Sequence, residues 1–106
     1  MSMIEQLYAE IFARKNEPKV GSYTNYLFEQ GLDKILKKVG EEATEVIIAA
    51  KNGDSEELIY ETSDLIYHML VLLAEKEVTL DEITEELKKR EGKLSKTEDR
   101  KQIEEL

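Results

Sequence analysis

Apolar residues recur at helical spacing along almost the whole chain, and no stretch alternates apolar and polar convincingly, so the pattern predicts an all-α fold. Ile4, Leu7, Tyr8, Ile11 and Phe12 give one face to a helix over 2–15. The only proline, Pro18, and Gly21 punctuate a loop over 16–22. Tyr23, Tyr26 and Leu27 mark a short helix over 23–30, with Ser22 or Thr24 as its cap, and Gly31 breaks it from a long helix over 32–51. Ile35, Leu36, Val39, Ala43, Val46, Ile47 and Ala50 form the apolar side of that long helix. Asn52 or Gly53 suits its left-handed end. Ser55 is the expected cap of a helix over 56–75, the most apolar element, carrying Leu58, Ile59, Leu65, Ile66, Met69, Leu70, Leu72 and Leu73. Its apolar arc is wider than one partner helix needs, which predicts oligomerisation. Thr79 and Glu82 form a capping box for a helix over 80–91, striped by Leu80, Ile83 and Leu87 and ended by Gly92. A charged tail over 93–106 follows, with a weak final helix from Ser95 ending in Ile103 and Leu106. The expectation is one domain: a bundle of about five helices whose core is completed by dimerisation.

Two helices break this pattern by placing carboxylates where core residues belong. On a helical wheel Ile35, Val46, Val39 and Ala50 fall within one quadrant beside Glu42, with Glu45 at the edge of the arc and Glu41 further out. Leu72, Leu65, Leu58 and Met69 bear the same relation to Glu61, with His68 beside it and Asp64 at the edge. If the two apolar faces pack together, four carboxylates converge. An acid pair three residues apart is commonly just a solvated face in an acid-rich chain. Two pairs at matching offsets on neighbouring helices are harder to read that way.

Buried carboxylates need shared protons, a basic partner or a cation. Oxygen-only ligands on rigid helices suit Mg²⁺ or Mn²⁺, as one ion with an outer shell or as two ions. Lys34 and Lys38 lie on the acid side of the long helix. Lys38 either pairs with Glu42 four residues on or stabilises phosphate charge. His68, the only histidine, is either a hydrogen-bonded core residue or a group that orients Asp64 or a water.

Charge and composition narrow the classes. With 15 basic against 24 acidic side chains, the formal charge is −9, and no basic stripe offsets it. That argues against nucleic acid or an anionic membrane as the main partner. There is no cysteine, hence no thiolate zinc site or thiol nucleophile. The N-terminal segment MSMIEQLYAEIFARK lacks the basic and apolar regions of a secretion signal, and the expectation is a soluble, cytoplasmic protein.

Glu42-x-x-Glu45, fifteen residues, then Glu61-x-x-Asp64 resembles the metal motif of the all-α nucleotide pyrophosphohydrolases. The segment SYTNYLFEQGLDKILKKVGEEATEVIIAAKN followed by ETSDLIYHMLVLL is more specific. It resembles the phosphoribosyl-ATP pyrophosphohydrolase family over about residues 22–92. The resemblance implies Mg²⁺-dependent hydrolysis of phosphoribosyl-ATP to phosphoribosyl-AMP and pyrophosphate, the second step of histidine biosynthesis, by a homodimer. It implies Glu42, Glu45, Glu61 and Asp64 as metal ligands, Glu41 as a base or second-metal ligand and Lys38 as a phosphate-stabilising cation. Ser22, Tyr23, Thr24, Lys34, Lys51, Asn52 and His68 would lie near the substrate. Two alternatives stand beside it: a related enzyme acting on canonical or damaged nucleoside triphosphates, and a non-enzymatic helical interaction module.

Overall fold

A computed structural model describes residues 2–92 and contains five α-helices: α1 (Met3–Asn16), α2 (Tyr23–Gln30), α3 (Leu32–Lys51), α4 (Ser55–Glu75) and α5 (Leu80–Lys89). No strand occurs among the described residues, and the fold is all-α as expected. The charged tail, with the weak helix expected from Ser95, lies outside the described residues.

The helix ends follow local chemistry. Ser22 Oγ accepts the Asn25 N–H at 3.2 Å and caps α2, which settles the choice between Ser22 and Thr24. Gly31 is at once the end of α2 and the start of α3. Its N–H donates to the Leu27 carbonyl and its own carbonyl accepts the Ile35 N–H, at a φ of 90° that favours glycine. At the end of α3 the left-handed residue is Gly53, with φ 70°, while Asn52 keeps a right-handed helical conformation. The expected cap at Ser55 is incorrect. Asp54 is the cap, its carboxylate accepting the Glu57 N–H at 3.0 Å, and Ser55 is the first helical residue. A carboxylate meets both the free N–H groups and the positive end of the helix dipole, so it wins over the neighbouring hydroxyl. The Thr79–Glu82 capping box is present, and α5 ends at Lys89 rather than 91.

Helices α3 and α4, joined by three residues, make the most extensive pairing. The helices α1 and α2 pack against α4, and α2 also against α3. The centre is formed by Ile11, Leu27, Ile35, Leu70, Val71 and Ala74. Three ties close the assembly. Tyr8 donates its hydroxyl to the Val78 carbonyl. Lys15 Nζ donates to the Ala74 and Glu75 carbonyls at 3.0 and 3.2 Å, placing a cation at the negative end of α4. The buried Asn25 amide donates to the Arg14 carbonyl and accepts the Lys19 N–H, both at 2.7 Å, which fixes the 17–22 loop over α1.

The apolar stripes are only partly covered. Ile47 and Ile59 are 63% and 68% exposed, and Leu36, Ile48, Tyr60 and Met69 are also exposed. Burial on α4 instead favours Leu70, Val71 and Ala74, because α1 and α2 approach from that side. On α5, Leu80 packs on the core, whereas Ile83 and Leu87 face outward.

Leu27 has no exposed surface, so Leu27→Ala leaves a cavity. It should lower unfolding stability by about 2–5 kcal/mol, read as a drop in the urea midpoint. An unchanged midpoint would contradict this packing.

Candidate active site

The buried positions of α3 are Ile35, Glu42 and Ala49, seven residues apart in sequence, and those of α4 include Glu61 and His68 at the same interval. The two acids therefore occupy core-type positions in the α3–α4 seam, each 8% exposed. Asp64, one turn beyond Glu61 and half-buried, completes a group. Carboxylate oxygens of Glu42, Glu61 and Asp64 all lie within 4.8 Å of one another.

Like charges this close resist ionisation together. The Glu61 carboxyl is pushed up to about 7, first by burial, then by a hydrogen bond shared with Glu42, then by the charges of Glu42, Glu45 and Glu57. Glu45 is not part of the tight trio. It is exposed and lines a recess of about 360 Å³ with Lys38, Glu41, Glu42 and Thr44.

Lys38 Nζ lies 3.5 Å from a Glu42 oxygen and 3.7 Å from a Glu41 oxygen. Burial alone would lower its pKa, but Tyr23 and the carboxylates of Glu42 and Glu41 outweigh burial and hold it above the ordinary value. Lys38 is thus a fixed cation rather than a proton acceptor at neutral pH. It pairs with Glu42 as helical spacing allows, and the same charge faces the recess.

His68 is buried and joins two helices. Its Nδ1 lies 2.8 Å from the Asp64 carbonyl, which can only accept, so Nδ1 carries the proton. In the neutral ring Nε2 then accepts the Tyr23 hydroxyl at 3.1 Å. His68 touches the Asp64 backbone and not its carboxylate, so it fixes Tyr23 on the turn that bears Asp64. Tyr23 stacks between Tyr26 and Tyr67, with centroids 6.0 and 6.1 Å away. Burial, then Asp64 and Glu42, raise its phenol above the ordinary pKa against the opposing pull of Lys38. Thr24 is hydrogen-bonded to the Tyr67 hydroxyl.

The remaining expected residues stand apart. Ser22 is engaged as the α2 cap. Lys34 sits one turn before Lys38. Lys51 and Asn52 are exposed at the far end of α3, more than two helical turns beyond Glu42. Helical periodicity could not reveal Asn25, Arg14 or Tyr67, because their roles depend on how the 17–22 loop and α2 fold back over α1 and α4. The only local signal was Tyr67 standing beside His68.

Residues 4–91 match the family model described as phosphoribosyl-ATP pyrophosphohydrolase. The chain belongs to that family. A protein of Listeria innocua named phosphoribosyl-ATP pyrophosphatase is 68% identical over 104 residues, 98% of this chain and all of the relative. One of Listeria monocytogenes with the same name is 69% identical over the same shares. One from Lactiplantibacillus plantarum is 61% identical over the full length of both chains. For this pyrophosphohydrolase family member, the trio is a chemically suitable divalent-cation site: three hard oxygen donors on two rigid helices, one of which keeps its proton near neutrality.

The raised Glu61 pKa sets a pH dependence. In the cation-free protein the folded state keeps this proton up to about pH 7, whereas an unfolded chain releases it near 4.5. Folded protein binds more protons across that interval, so stability should fall as pH rises from about 4.5 to 7 and level off above. Glu61→Gln should flatten the fall. Thermal unfolding in a chelator across this range is the check, and a melting temperature that rises with pH by way of Glu61 would contradict it.

Proposed function

We propose that this family member hydrolyses phosphoribosyl-ATP to phosphoribosyl-AMP and pyrophosphate as a cytoplasmic Mg²⁺-dependent homodimer, in the second step of histidine biosynthesis. The observation that carries the site assignment is the Glu42–Glu61–Asp64 group with Lys38 Nζ 3.5 Å from a Glu42 oxygen. Glu42, Glu61 and Asp64 would hold one or two Mg²⁺ ions, or Mn²⁺ in substitution, and Glu45, which lines the adjoining recess with Glu42, would join them. When bound, such an ion neutralises phosphate oxygens and makes water a stronger nucleophile.

The chain's own groups do the rest. Lys38 stabilises charge developing on the phosphates as water opens the anhydride between the α- and β-phosphates and pyrophosphate departs. Glu41, exposed and on the Lys38 side of the recess, takes the proton from the attacking water. The Tyr23 ring, steadied through His68, offers an aromatic surface to the nucleotide, with Thr24 and the α2 start beside it. Lys34 adds positive charge one turn from Lys38. The net charge of −9 fits a small-molecule substrate rather than nucleic acid. Among the described residues no helix is long and apolar enough to cross a membrane.

The uncovered residues of the central pair, Leu36, Ile47, Ile48, Ile59, Tyr60 and Met69, support a second copy packing over α3 and α4. In that homodimer, Lys51 and Asn52 reach nucleotide across the subunit boundary. Ile47→Glu with Ile59→Glu should shift the sedimentation of the protein from dimer to monomer. Sedimentation of the unaltered chain as a monomer would overturn the homodimer.

The decisive assay is pyrophosphate release from phosphoribosyl-ATP with and without Mg²⁺. Release should require the cation. Lys38→Ala should lower kcat by roughly 10²–10³-fold, as for loss of other groups that stabilise transition-state charge. Asp64→Asn should abolish cation binding with helicity retained. Rapid hydrolysis of dCTP or dUTP with none of phosphoribosyl-ATP would overturn the substrate assignment.

A further inference from the structure

A second recess lies between α1, the 17–22 loop, the start of α2 and Tyr67 of α4. It encloses about 460 Å³, within the range of small-molecule pockets. Its polar lining is Arg14, Lys19, Ser22, Thr24 and Tyr67, with the Glu10 carboxylate as the one acid among the lining residues. Arg14 is the unexplained member. Its Nε is fully enclosed yet donates to no acceptor, and its guanidinium makes no ion pair among the described residues. A guanidinium N–H enclosed without an acceptor is costly unless something supplies one. Lys19, whose backbone N–H donates to Asn25 Oδ1 at 2.7 Å, lines the same recess, and its ammonium likewise has no ion-pair partner among the described residues. The α2 N-terminus adds partial positive charge. A planar guanidinium and an ammonium in the lining of one recess, with the hydroxyls of Ser22, Thr24 and Tyr67, are a donor set for a phosphate monoester.

The recess borders the acid site through Tyr67. That ring stacks on Tyr23, and the Asp64 charge acts on both phenols. The substrate assigned above carries phosphate at two ends: a triphosphate, and a monophosphate on the second ribose. Resting on that assignment, we infer that the Arg14–Lys19 recess receives the monophosphate of the phosphoribosyl group, while the triphosphate lies at Lys38 and the acids. Arg14 is then a specificity-determining residue, selecting phosphoribosyl-ATP over plain ATP, and takes no part in bond breaking.

Products separate this inference from its parent, because phosphoribosyl-AMP keeps the monophosphate and AMP lacks it. Titration calorimetry of the full chain with Mg²⁺ should show phosphoribosyl-AMP binding at least tenfold more tightly than AMP. In Arg14→Gln that advantage should vanish, with AMP binding and cation binding unchanged. Lys19→Ala, on an exposed loop, should reduce the advantage in part, and serves if Arg14→Gln does not fold. In turnover, Arg14→Gln should raise KM for phosphoribosyl-ATP with little change in kcat. Equal binding of the two products by the unaltered chain, or an advantage that survives in the folded variants, overturns the recess assignment even if phosphoribosyl-ATP is hydrolysed. Failure to hydrolyse phosphoribosyl-ATP, with the binding preference intact, would strike the parent reading alone.

Discussion

Mutual repulsion of carboxylates in the α3–α4 seam is the constraint to which the rest of the structure answers. Glu42 and Glu61 occupy positions whose neighbours in the same helical line are Ile35, Ala49 and His68. An apolar pair there would give a firmer seam, because buried like charges lose hydration and gain only repulsion. The molecule tempers the cost locally. Glu61 holds its proton near neutrality, and Lys38 sits against Glu42. A small multivalent cation suits what remains, and binding one there would link cation affinity and stability through the same atoms.

That constraint was readable in the sequence because it is a violation of periodicity. Acids inside an apolar arc on two successive helices give away both the seam and the meeting of its carboxylates. The boundaries of α2 and α3 were equally readable, since Ser22, Gly31 and Gly53 each answer a specific backbone need. The cap at Asp54 is not legible, because two capping residues stand side by side and only geometry shows which one meets the free N–H groups. The weight of burial on α4 is hidden for a different reason. A helical wheel shows which face is apolar but not which neighbour arrives, and α1 and α2 cover Val71 and Ala74 while Ile59 stays open.

The surroundings of the acid trio are the least legible part. His68 is bonded to the Asp64 carbonyl, and so links α2 to the acid-bearing turn rather than touching the acid. Lys51 and Asn52 lie far from the trio within one chain. Arg14 and Asn25 gain meaning only when the loop folds over α1, a long-range event that leaves no periodic trace.

The stack Tyr26–Tyr23–Tyr67 has a practical consequence. The chain has five tyrosines and no tryptophan, and three of the five are in this one column. Most of the chain's intrinsic fluorophores therefore lie at the edge of the acid site, where a ligand binding beside them would be read without any label.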